Sequence, residues 1–148
     1  MVFFAGNGGS AATANHFACD MSKSTADADD RLLRCLSLVA SMPAVMAYAN
    51  DTGYENSILG ALRSLFQQGD VLIAISTSGN SPNVVKAAEF VRDSGGTVIA
   101  LTGFTGGRLR ELADIAAHVP SDECEVAEDA HCMILHALIC ELKKPQHG

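Results

Sequence analysis

Short apolar, often β-branched runs alternate along the chain with longer stretches whose apolar residues recur at helical spacing. Residues 2–5, 35–38, 71–75, 97–102 and 115–119 read as strands. Residues 11–21, 42–49, 55–66, 84–94, 108–112 and 125–143 read as helices between and after them. Residues 22–30 are a polar loop, Asn50 to Gly53 a turn, Gly69 a helix C-cap, and the tail after Pro145 a frayed end. Strands alternating with helices predict an α/β fold: a doubly wound, mostly parallel sheet of about five strands flanked by helices. A chain that opens on a strand leaves the first face of the sheet without cover. The expectation is that one or more N-terminal helices are missing.

Composition narrows the class. At 148 residues the chain is read as a single domain, residues 1–148, large enough to bury a core. Its 48% hydrophobic and 18% charged content is that of a globular protein. The apolar runs are far too short to span a membrane, and the start lacks the basic leader of a signal peptide. A net charge of −7 without a basic stripe argues against nucleic acid as a partner. The pairs Arg31/Arg34, Arg108/Arg110 and Lys143/Lys144 read as solvated faces. Five cysteines (Cys19, Cys35, Cys124, Cys132, Cys140) form no C-x-x-C pair and read as reduced, mostly buried residues of a cytoplasmic protein.

Two polar loops interrupt this pattern where strands end. Residues 75–84, Ile-Ser-Thr-Ser-Gly-Asn-Ser-Pro-Asn-Val, place the hydroxyls of Ser76, Thr77, Ser78 and Ser81 between a strand and a helix. Pro82 suits the first helical position, where its missing N–H is harmless, with Ser81 as N-cap. Hydroxyls and free amides at the positive end of a helix dipole form an anion site, best suited to a phosphate monoester. The second loop, Gly6-Asn-Gly-Gly-Ser10, follows the first strand. Both loops belong at the same sheet edge, where open α/β sheets bind ligands.

The ionisable residues fall on two helices. His16 and Asp20, four apart, share one face of the first, as metal ligands or as a base with its partner. The last carries Glu125, Glu128, Asp129, His131 and His136. At 3.6 residues per turn Glu125 and Asp129 fall about 20° either side of His136, Glu128 about 80° away and His131 about 140° away. Helical geometry alone therefore nominates Glu125 or Asp129 before Glu128 as the partner of His136. Imidazole with carboxylate suits Zn²⁺ or a similar divalent ion.

Taken together, Gly6-Asn-Gly-Gly-Ser-Ala-Ala12, His16-Phe-Ala18, Ser76-Thr-Ser-Gly-Asn-Ser81 and the His-bearing last helix resemble a sugar isomerase (SIS) domain, and within that class phosphoheptose isomerase. The resemblance covers about residues 2–142. It implies the aldose–ketose isomerisation of sedoheptulose 7-phosphate to D-glycero-D-manno-heptose 7-phosphate, which feeds bacterial lipopolysaccharide and related glycans. By that resemblance Ser76, Thr77, Ser78 and Ser81 hold the phosphate, and Asn7, Gly8, Gly9, Asn50 and Asp51 contact the sugar. His16, Asp20, Glu128 and His136 match zinc-ligand positions, Asp20 and Glu128 also face substrate, and Asp20 and His136 form the acid/base pair. The family often has glutamine at the Glu128 position and glutamate at that of Asp20. It also commonly assembles as a homotetramer with active sites at interfaces. The alternative reading is a non-catalytic SIS module that binds a sugar phosphate or a protein partner, such as a replication-initiator regulator.

Overall fold

Apolar residues at alternate positions of a strand face opposite sides of a sheet, so two-sided apolar strands demand helices on both faces. A computed structural model, which describes residues 1–25 and 33–144, has this arrangement. The strands are β1 (Val2–Ala5), β2 (Cys35–Ser37), β3 (Val71–Ser76), β4 (Thr97–Thr102) and β5 (Ile115–His118). They form one sheet in the order β2-β1-β3-β4-β5, every pairing parallel. The helices are α1 (Gly8–Ser24), α2 (Met42–Thr52), α3 (Leu59–Leu65), α4 (Pro82–Asp93), α5 (Gly107–Leu112) and α6 (Cys124–Leu142).

The three central strands, β1, β3 and β4, divide their side chains between two cores. Phe3, Ala5, Leu72, Ala74, Val98 and Ala100 pack against α3, α4 and α5. Phe4, Ile73, Ile75 and Leu101 pack on the other face against Phe17 and Met21 of α1 and Leu135 and Ile139 of α6. The register Phe4↔Ile73↔Ile99 and Phe3↔Leu72↔Val98 keeps each set in line across the central strands. Between β1 and β3 the winding direction reverses, and the chain segments leaving those two strands flank the resulting crevice. At the opposite edge the Met1 α-ammonium pairs with the buried Asp70 carboxylate, which also accepts the Gln67 amide at 2.8 Å.

Several expected boundaries move. α1 starts at Gly8, not residue 11, so the glycines form its first turn, and it runs to Ser24 into the expected polar loop. Residues 26–32, Arg31 among them, and the tail from residue 145 lie outside the described residues. α2 absorbs Asn50 and Asp51, and Gly53 ends it. The helix expected over 55–66 is broken: Tyr54–Asn56 is a single 3-10 turn, closed by the Asn56 and Ser57 amides bonding i−3 carbonyls, and α3 starts only at Leu59. No cysteine is buried. Cys19, Cys124 and Cys140 lie on outward helix faces, while Cys35 and Cys132 are half-buried. Partial burial nonetheless pushes the Cys35 thiol up to about 11. All five are free, and no helix among the described residues is long and apolar enough to cross a membrane.

Candidate active site

β3 delivers Ser76 to the crevice as a buried residue, and the next five residues form a tight loop. Ser76 Oγ lies 3.2 Å from Ser81 Oγ and accepts the Gly79 amide at 3.2 Å. Ser78 Oγ accepts the Asn80 amide at 3.2 Å, and Thr77 Oγ1 stands 3.6 Å from Cys124 Sγ at the start of α6. Ser81 occupies the N-cap position of α4 with Pro82 at N1, as expected, but its hydroxyl makes no capping bond because it faces Ser76. The loop is braced from behind. Asn80 Oδ1 accepts the Arg108 amide at 3.0 Å, and the Gly79 carbonyl accepts the Leu109 amide at 2.9 Å. Gly79 has φ +67°, and a Cβ there would penetrate the Gly106 carbonyl. Only glycine fits both demands.

β1 delivers Asn7, the extended N-cap of α1. Its side chain caps nothing in α1, because it reaches across the crevice to Asn83 of α4. Gly8 and Gly9 follow as exposed first-turn residues. A Cβ on Gly9 would collide with the Glu128 carboxylate, so the absence of a side chain lets this acid rest over the start of α1. Asn50 and Asp51 close α2, both exposed, with Asn50 Nδ2 donating to Asp51 Oδ1 at 2.8 Å.

His16, Asp20 and His136 converge between α1 and α6. His16 Nε2 lies 3.3 Å from His136 Nε2 and 3.6 Å from Asp20 Oδ2. One donor atom from each of these three residues lies within 4.8 Å of the others. The rings are held edge-on to Phe17, at centroid distances of 4.7 Å for both histidines. Donors around a tetrahedral zinc stand about 3.3 Å apart, so two imidazoles and a carboxylate at these spacings fit such an ion.

Glu128 is not in this group. Eight residues separate it from His136, about 12 Å of helix rise, and its carboxylate lies against Gly9 instead. The same axial argument removes Glu125 and Asp129, which the angular reading had favoured: both are exposed, eleven and seven residues from His136. Angle without rise nominated the wrong partners.

Two features of this region carry no signal in sequence periodicity. His131 is fully buried under α6, and neither ring nitrogen reaches a partner of good geometry. Burial holds its pKa below the ordinary histidine value, although the Thr102 carbonyl and the Glu128 carboxylate favour the proton. Asn80 and Asn83 are the second omission. On either side of Ser81-Pro82 they read as ordinary turn and helix-start residues, and only the facing segments reveal their bonds.

The family model of the SIS domain matches residues 1–103. The chain is 40% identical to a phosphoheptose isomerase of Helicobacter pylori, covering 93% of this chain and 71% of that protein. It is 42% identical to the phosphoheptose isomerase of Mycobacterium bovis, over 93% of this chain and 69% of the relative. The solved phosphoheptose isomerase of Neisseria gonorrhoeae superposes with a TM-score of 0.87 at 34% identity, covering 95% of this chain and 74% of the other. With that family model, that identity and that superposition, the chain belongs to the phosphoheptose isomerase family of SIS-domain proteins.

Proposed function

We propose that this chain interconverts sedoheptulose 7-phosphate and D-glycero-D-manno-heptose 7-phosphate, an aldose–ketose isomerisation. The observation that carries the reading is the convergence of His16, Asp20 and His136 from two helices at metal-ligand spacing. Isomerisation removes a proton from C1 of the ketose and returns one to C2. Asp20 takes and returns the carbon-bound proton, and His136 moves the hydroxyl proton between the two oxygens. Ser76, Thr77, Ser78 and Ser81 hold the phosphate, with Gly79 and Asn80 fixing the loop. Glu128 and the first turn of α1 face the sugar, as do Asn50 and Asp51 at the end of α2. His16, Asp20 and His136 would hold Zn²⁺ or another divalent ion. When bound, such an ion supplies Lewis-acid polarisation of the carbonyl.

The same reading includes self-association, with a homotetramer as the expected assembly. α2 has no fully buried residue, and its Met42 and Met46 are 60% and 63% exposed. On α6, Met133 is 72% and Val126 53% exposed. Apolar helix faces of this kind are supports for contact with further copies.

The test is to incubate metal-replete protein with sedoheptulose 7-phosphate and follow aldose 7-phosphate formation, with and without EDTA. Turnover abolished by EDTA and restored by Zn²⁺ is the expected result. Asp20→Asn and His136→Gln should each lower kcat by roughly 10²–10⁴-fold, the usual contribution of acid–base groups. Tight phosphosugar binding without turnover in the wild type would replace this reading with a non-catalytic binding module.

A further inference from the structure

Asn83, at the second position of α4, is 1% exposed and has every hydrogen-bonding position of its amide filled. It and Asn7 form a reciprocal pair: Nδ2 of each donates to Oδ1 of the other, both at 2.9 Å. Its remaining N–H donates to Ser57 Oγ at 3.1 Å, and its Oδ1 also accepts the Val84 amide at 3.0 Å. Ser57 is itself 1% exposed, in the link between the 3-10 turn and α3. One buried side chain therefore joins three segments: the end of β1, the helix behind the serine loop, and the approach to α3. The junction spans the crevice between β1 and β3.

We propose that Asn83 is a positioning residue, which holds the Asn7–Gly9 turn in register with the serine loop. It follows that the Asn7 side chain serves chiefly as the partner of Asn83. One N–H and one lone pair of its amide are engaged, and the turn meets the sugar mainly through backbone groups. The pair is directional. An aspartate at 83 presents two acceptors, so it retains the bond from Asn7 Nδ2 but sets an oxygen against Asn7 Oδ1. A glutamine carries the amide one methylene too far. Conservative chemistry therefore does not restore the tie, because geometry defines it. The catalytic consequence rests on the isomerase reading, whereas the tie itself does not.

The experiment is a double-mutant cycle on Asn7→Ala, Asn83→Ala and the pair, in the full chain. Its readouts are kcat and KM for sedoheptulose 7-phosphate, competitive inhibition by inorganic phosphate, and thermal midpoint. Each single variant is expected to lower kcat at least ten-fold, and the double to fall no more than about two-fold below the worse single. For Asn7→Ala the phosphate inhibition constant is expected to stay within three-fold of wild type. Additive losses, or an effect of Asn7→Ala confined to KM, would overturn the proposal. Side-chain amide NMR decides the tie without turnover. Exchange-protected Asn7 NH₂ protons in the wild type that lose protection in Asn83→Leu, which has no acceptor for Asn7 Nδ2, support it, and unprotected ones in the wild type overturn it. If Asn83→Ala does not fold, Asn83→Asp and Asn7→Ala carry the same comparison. Failure of the wild type to turn over the substrate would sink the isomerase reading alone.

Discussion

Replacing Gly79 by alanine separates two effects that a glycine in a loop usually confounds. At φ +67° any L side chain is strained, and the new Cβ would also penetrate the Gly106 carbonyl. That carbonyl has little freedom to retreat. The Gly106 amide bonds the Gly103 carbonyl at 2.8 Å, while Arg108 and Leu109 are tied back to Asn80 and Gly79. Gly69 supplies the control, with φ +89° and nothing within 4 Å of the place a methyl group would occupy. Left-handed strain alone costs about 1–2 kcal/mol, which is the expectation for Gly69→Ala. Forcing a methyl group into a packed site adds about 1–3 kcal/mol, so Gly79→Ala should lose roughly 2–5 kcal/mol. For a chain of this size 1 kcal/mol corresponds to about 2–4 °C in thermal midpoint. Urea unfolding of wild type and both variants, followed by circular dichroism, measures the difference. Inhibition by inorganic phosphate, measured below the midpoint, should weaken at least ten-fold in Gly79→Ala and stay unchanged in Gly69→Ala. Equal stability losses for the two variants would refute the argument that the Gly106 carbonyl, and not backbone strain, makes Gly79 obligatory.

Two further outcomes follow from buried titratable groups. His131 has a folded-state pKa below 6.5, so the unfolded chain binds its proton more readily. Its contribution to stability is present above pH 6.5 and is lost as pH falls from there toward the folded value. Urea titrations from pH 7.5 to 5 should show this acid slope flattened in His131→Leu, whose stability at pH 7.5 stays within about 1.5 kcal/mol of wild type or rises, because no good hydrogen bond is lost. A steeper slope in the variant would contradict it. Burial raises the pKa of Asp70, but the Met1 α-ammonium, the Gln67 amide and Arg34 more than offset this and hold it below 3.8. Its contribution is present above pH 3.8 and lost as pH falls through the lower folded value. Asp70→Asn should lower stability at pH 7 by about 1.5–3 kcal/mol, and the gap should narrow steadily as unfolding is repeated at pH values falling below 3.8.

Local physics wrote much of this protein into its sequence. Five apolar runs bounded by glycine and polar residues have few alternatives to strands, and their two-sided hydrophobicity forces helices onto both faces. Pro82 and the four hydroxyls mark a strand-to-helix loop because proline and serine have fixed preferences there. His16 and Asp20, one helical turn apart, meet in the structure because i, i+4 spacing brings side chains together whatever surrounds them.

Other decisions needed the third dimension. Gly8 and Gly9 have poor helix propensity, yet they begin α1 because its first-turn amides need no intrahelical partner and Glu128 requires the space. The pairing of His136 with His16, 120 residues apart in sequence, depends on how α1 and α6 pack on one face of the sheet. The helical wheel preferred Glu125 and Asp129 because it registers angle and ignores rise. The bond between Asn7 and Asn83 has no local signature at all, since each amide is satisfied only by a segment 76 positions away. Secondary structure and loop chemistry are set by neighbours in sequence, and so were legible there. Which loops and helices face one another is set by strand order, and only the folded sheet decides it.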